Sequence, residues 1–173
     1  KNLHAFLSLE LPGTKLVIGD GPERAALLQR YPQVRFAGYR FGAELAALLS
    51  GSDVLVFPSL TDTFGLVMIE ALACGVPVAA FPVPGPLDVI EPGLTGVLDA
   101  DLARAIRAAL QLDPQACVQA ASQFSWQAAT EQFLAGLAPI PLPLRARLAV
   151  SRSSAMIARM AARRQPSGAG DAN

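Results

Sequence analysis

The chain alternates short, apolar, β-rich runs with longer runs whose apolar residues recur at helical spacing, the pattern of a parallel α/β sheet flanked by helices. Asn2 to Leu9 predicts a helix closed by Pro12-Gly13, and Lys15 to Ile18 a buried strand that turns at Gly19-Asp20-Gly21-Pro22. Pro22 suits the first turn of a helix reaching about Tyr31. Val34 to Ala37 predicts a second strand and Ala43 to Leu49 a helix. Asp53 to Phe57 predicts a third strand, apolar because both its faces are covered. A polar loop from Pro58 to Thr63 leads into a helix from Gly65 to about Cys74, stopped by Gly75. Pro77 to Phe81 and Gly96 to Leu98 predict the last two strands, with a proline-rich loop between them. Helices are expected over Asp101 to Leu110, Pro114 to Ala121 and Trp126 to Leu137, the last with Trp126 and Phe133 as core anchors. Pro139-Ile140-Pro141-Leu142-Pro143 breaks any helix and divides the chain into an α/β domain over 1–138 and a tail over 139–173. Pro166 to Asn173 is small and polar, and is expected to be disordered.

Composition narrows the function without choosing it. Hydrophobic residues make up 52% of the chain, enough for one domain with a sizeable core. Lys plus Arg (14) balances Asp plus Glu (14), so no overall field attracts nucleic acid. Two cysteines are too few for a disulfide framework, and Cys74, in an apolar run, reads as a small buried hydrophobe. A reduced, cytoplasmic setting follows. One histidine and no Cys/His cluster argue against zinc, and no apolar run approaches membrane-spanning length. The start at Lys1, without Met, reads as that of a fragment.

In a parallel sheet, ligands bind at the carboxyl ends of the strands, so the loops there carry the candidate chemistry. Gly19-Asp20-Gly21-Pro22 opens a helix, and its glycines let a phosphate approach the backbone, although an ordinary tight turn explains them as well. It lacks the third glycine of the dinucleotide fingerprint, which argues against an oxidoreductase. Asp62-Thr63-Phe64-Gly65-Leu66-Val67-Met68-Ile69-Glu70 sets one carboxylate in a loop and a second inside the helix, with free helix-terminal amides between them. An elongated ligand with hydroxyls at each end and phosphate in the middle, such as a nucleotide sugar, fits that spacing. Asp62 or Thr63 could equally be an N-cap. Glu70 could be a solvated helix residue, but it is the only charge from Phe64 to Gly75, and in so apolar a helix it is expected to be buried and to need a partner. Pro82-Val83-Pro84-Gly85-Pro86 either lines the same pocket or only shapes a turn. His4 reads as packing or surface rather than catalysis.

These residues resemble a known family. Asp62 to Val78 is similar to the signature of family 4 retaining glycosyltransferases, which have the GT-B fold of two facing Rossmann-like domains. The resemblance extends through Lys1-Asn2, Gly19 to Pro22, Val34 to Gly38 and Ser52 to Ser59, over about Lys1 to Leu137. It implies that 1–138 is the C-terminal, nucleotide-sugar-binding Rossmann-like domain, with a separate N-terminal domain holding the acceptor. Glu70 would then bind the ribose hydroxyls. Asp62, one methylene shorter than the family's usual Glu, would hold the donor sugar, and Lys1 would neutralise the diphosphate. Thr63 and the backbone amides of Phe64, Gly65 and Leu66 would meet sugar and diphosphate, and Gly19 and Gly21 the phosphate, while Tyr39 and Arg40 are either part of the base pocket or simply an exposed loop pair. The donor would be a GDP- or UDP-hexose, and helix amides and lysine would replace a divalent metal or other cofactor, in keeping with the expectation that the chain holds no acidic metal pair of the Asp-x-Asp kind. Such a fragment is expected to be inactive alone. A non-catalytic remnant and a GT-B epimerase are the alternatives. Six arginines from Arg145 to Arg164, with no acid among them, leave three readings of the tail: peripheral contact with an anionic membrane, a helix crossing back to the other domain, or a solvated segment.

Overall fold

The computed structural model describes residues 1–138. The basic tail and the boundary expected at Pro139 lie outside the described residues. The chain divides into two units, the first Lys1–Thr130 and the second starting at Glu131.

Five strands and eight helices are described: α1 (Leu3–Leu7), β1 (Leu16–Ile18), α2 (Arg24–Arg30), β2 (Arg35–Gly38), α3 (Gly42–Ser50), β3 (Leu55–Phe57), α4 (Leu66–Ala73), β4 (Val78–Ala80), α5 (Pro86–Val89), β5 (Gly96–Leu98), α6 (Leu102–Ala109), α7 (Pro114–Ala121) and α8 (Trp126–Ala135). Every ladder is parallel, and helices make the crossovers that parallel pairing requires. The strands form a two-stranded sheet, β1-β2, and a three-stranded sheet, β3-β4-β5, rather than one continuous sheet. Helix α1 ties the two together, since Phe6 packs both against the cluster around β4 and α6 and against the cluster of Leu7, Leu27, Tyr31 and Val34. Lys15 fixes α1 to β1. Its ammonium donates to the Leu7 carbonyl at 2.8 Å and to that of Leu9, a cation at a helix C-terminus. Burial lowers its pKa, against the charge of Glu10.

The core centres on β4. All of Val78, Ala79 and Ala80 are buried because β3 and β5 flank the strand and helices cover both faces. One face carries α4 and α7 through Met68, Leu72 and Cys117, and the other carries α6 through Leu102, Ala105 and Ile106. Fully burying Met68 or Leu72 contributes roughly 1.5–3 kcal/mol each. Strand β3 is less covered than its apolar run predicts. Leu55 and Val56 are half-buried and only Phe57 is buried, since β3 lies at a sheet edge. Of the cysteines, Cys117 is buried and Cys74 half-buried at the end of α4. Burial, helped by Asp113, pushes the Cys117 thiol up.

Two local expectations need correction. Pro22 precedes α2, whose N-cap is Glu23, instead of occupying its first turn. Trp126 and Phe133 are not core anchors, being 91% and 66% exposed. Helical spacing places two residues on one face without guaranteeing that the face is covered. His4 is exposed, and its Nδ1 is 3.1 Å from the Tyr31 hydroxyl, a surface role.

Candidate donor-binding site

The site is built where β3 ends. Phe57 buries its ring, the chain leaves the sheet at Pro58, and the loop returns through Gly65 into α4. The first two residues lie across this loop. Asn2 adopts a left-handed conformation (φ 56°) and its side-chain amide donates to the Pro58 carbonyl at 3.0 Å. The Lys1 ammonium pairs with the Asp62 carboxylate and sits 5.9 Å from the centre of the Phe57 ring. Asp62 is the sheltered partner at 18% side-chain exposure, against 70% for Lys1. Two groups 61 positions apart in sequence thus meet at the carboxyl end of β3.

Neither Asp62 nor Thr63 caps α4. The N-cap is Gly65, left-handed at φ 78°, and among the described residues no side chain caps the helix. The capping alternative is therefore removed, and the positive end of the helix dipole opens beside the Lys1–Asp62 pair. Phe64 stands edge-on to Phe124, with ring centres 6.5 Å apart, and Leu66 is 67% exposed. These side chains rim the helix N-terminus with apolar surface.

The surroundings expected for Glu70 are wrong. It is exposed, and its carboxylate makes no hydrogen bond or ion pair among the described residues. Helix α4 buries only the stripe of Met68, Ala71 and Leu72, and Glu70 falls outside it. Mean apolarity predicted an all-round buried helix, whereas the stripe is one-sided. The carboxylate is thus free for a ligand instead of obliged to an internal partner.

The remaining predicted residues gather on the other sheet. Gly19 donates its N–H to the Gly38 carbonyl at 2.8 Å, so the loops after β1 and β2 touch. No atom of the described residues, chain neighbours aside, lies within 4 Å of a β-carbon built on Gly19 or Gly21. The Gly21 N–H donates to the Asp20 carboxylate at 2.7 Å, and Arg24, unremarked in the sequence, faces Asp20 at 4.0 Å. Tyr39 is 62% exposed and stacks on Phe41, with centres 6.0 Å apart and planes 13° off parallel. Arg40 bonds to the Tyr39 carbonyl at 2.7 Å and faces Glu44 at 3.7 Å. Sequence reasoning missed Phe41, although its spacing from Tyr39 was the available signal. No bond among the described residues joins this group to the group around Asp62.

The chain does hold an Asp-x-Asp triplet, Asp99-Ala100-Asp101 after β5, which corrects the expectation that no acidic pair of this kind is present. Both acids are engaged. Asp101 caps α6 by accepting from the Arg104 N–H at 3.1 Å, and Asp99 accepts from the Arg104 guanidinium at 2.5 and 2.7 Å. Among the described residues no group of His, Cys, Asp and Glu is arranged to hold a metal. The Arg104 hydrogen bonds, then the Asp101 N–H, hold Asp99 down to about 2. The folded value lies below the unfolded one, so the stabilisation is present above the ordinary carboxylate range and is lost as pH falls through about 2. Asp99→Asn is expected to flatten the acid limb of a stability-versus-pH curve between about 4 and 2. An unchanged acid limb would contradict this pairing.

The family model for glycosyl transferases group 1 matches residues 7–112. The chain belongs to this family. A GDP-mannose-dependent alpha-mannosyltransferase of Mycobacterium tuberculosis is 43% identical over 83 residues, 48% of this chain and 22% of that protein. The sucrose-phosphate synthase of Thermosynechococcus elongatus superposes with a TM-score of 0.62 at 32% identity, over 76% of this chain and 39% of that one. Anabaena HepE, solved in complex with UDP-glucose, superposes with a TM-score of 0.60 at 23% identity, over 78% and 44%. The chain therefore spans less than half the length of each of these three proteins. The glycosyltransferase fold that the two solved structures share with this chain is the GT-B type expected from the sequence, a Rossmann-like parallel α/β arrangement.

Proposed function

We propose that this chain is the donor-binding domain of a retaining hexosyltransferase that uses a GDP- or UDP-hexose without a divalent metal or other cofactor. The observation that carries the reading is the grouping at the end of β3. The Lys1–Asp62 pair and the uncapped N-terminus of α4 stand together, with Glu70 exposed on the same helix. That grouping supplies a cation and helix amides for a diphosphate and a carboxylate for sugar hydroxyls. A second carboxylate further along α4 is available for a ribose. The resemblance to a GDP-mannose-dependent enzyme on one side and a UDP-glucose complex on the other supports a nucleotide-sugar donor of either base.

In this reading the bond between the anomeric carbon and the diphosphate oxygen breaks, and the electron pair leaves with the nucleoside diphosphate. The acceptor oxygen bonds to the same face of the anomeric carbon, and its proton passes to a phosphate oxygen of the leaving group. Lys1 and the α4 amides meet the negative charge that develops. Acceptor residues belong to a separate N-terminal domain, so the chain alone binds nucleoside diphosphate weakly and does not turn over. The setting is the cytoplasm, where nucleotide sugars are the donors. Calorimetry with UDP and GDP tests the reading: millimolar or tighter binding supports it, and no binding at millimolar ligand sinks it.

A further inference from the structure

We infer that Gly85 is a positioning residue for the Asp62–Phe64 backbone, the wall that fixes where the donor-site carboxylate and the first helix amides stand. This inference rests on the donor-site reading for its consequence but not for its geometry. Gly85 is buried with φ 92°, and a β-carbon there would lie 2.8 Å from the Asp62 carbonyl oxygen and 3.5 Å from the Phe64 nitrogen. The two loops therefore meet backbone to backbone, with no side chain between them to yield. Cβ contacts under 3.0 Å are not tolerated, so an added methyl must move one loop.

The Gly85 side is the stiffer one. Pro86 is fully buried immediately after it, Val89 and Ile90 are buried in the cluster with Phe57 and Met68, and the Gly85 N–H faces the Asp88 carboxylate at 3.4 Å. The Asp62 side is held from above by the Lys1 ammonium and the Asn2–Pro58 bond, both on an exposed N-terminus. A methyl at position 85 thus displaces Asp62 and Phe64 rather than its own loop.

The test compares Gly85→Ala with Gly93→Ala. Gly93 has a similar left-handed backbone (φ 81°), but among the described residues nothing lies within 4 Å of its built β-carbon, so it shares the strain without the contact. Amide spectra of the 15N-labelled chain should show the Asp62 to Leu66 resonances moving in Gly85→Ala and staying in place in Gly93→Ala. UDP or GDP affinity should fall at least tenfold in the first variant only. Unmoved resonances overturn the inference, as do moved resonances with unchanged affinity. If the unsubstituted chain binds neither nucleotide, the donor-site reading fails, and the amide shifts alone decide the role of Gly85. Should Gly85→Ala not fold, Pro84→Gly loosens the same loop at an exposed position. It should speed amide exchange at Asp62 and Phe64 but not at Val78–Ala80, and equal exchange at both overturns the inference.

Discussion

Gly96→Ala is expected to cost about 3 kcal/mol or more, a large share of a typical domain's whole stability. A β-carbon at Gly96 would lie 2.3 Å from the Val78 carbonyl oxygen and 2.9 Å from the Ile90 Cγ2. Val78 and Gly96 are partners in the β4–β5 ladder, so the methyl collides with backbone in the pairing itself. Relief requires β5 to leave β4, which costs ladder hydrogen bonds of about 1 kcal/mol each and opens the core beside Ile90. At about 2–4 °C per kcal/mol, the melting temperature should drop by roughly 10 °C or more. The same change at Gly21, with ordinary backbone and nothing within 4 Å among the described residues, should leave it almost unchanged. Thermal melts of the two variants decide, and a Gly96→Ala chain that melts with the parent would deny the close approach of β5 to β4.

The contrast between these glycines shows what a sequence does and does not display. The β4 run reads directly as a buried parallel strand, and Gly75 as the stop of α4, because uniform apolarity and a left-handed glycine are local signals. Helix α5 was not legible. Its four residues begin at Pro86 in a proline-rich stretch, and the turn is held by the burial of Pro86, Val89 and Ile90 rather than by propensity. The division into two sheets was hidden for a similar reason, since strand spacing says which segments are strands but not which edges pair.

The candidate site was half legible. Its residue types and order stood in the sequence, and Asp62, Phe64, Gly65 and Leu66 do gather at the end of β3. The resemblance implied Lys1 as well, but not its pairing with Asp62, because the two are distant along the chain and no local periodicity links them. Gly85 looked like one glycine among prolines until the Asp62 carbonyl appeared against it. For Glu70 the composition argument pointed the wrong way. An apolar helix was taken to bury every residue, but eight residues with one buried stripe leave the other side in solvent.

That exposure makes Glu70 the sharpest functional prediction. Glu70→Gln should weaken UDP or GDP binding about tenfold or more, the size of a lost hydrogen bond to a charged group at roughly 1.5–3 kcal/mol. Stability should hardly change, within about 0.5 kcal/mol, since Glu70 is exposed and its carboxylate has no bond among the described residues to lose. The α4 rise sets it about 7.5 Å along the axis from Gly65, a separation that suits a ribose when the diphosphate sits at the helix N-terminus. The 2′-deoxy nucleotide provides the second arm. It should bind the unsubstituted chain more weakly than the ribonucleotide does, and lose little further affinity in Glu70→Gln, because both changes remove the same contact. Additive losses would place the ribose elsewhere. A lowered melting temperature with unchanged affinity would make Glu70 a structural residue and take the second carboxylate out of the donor site.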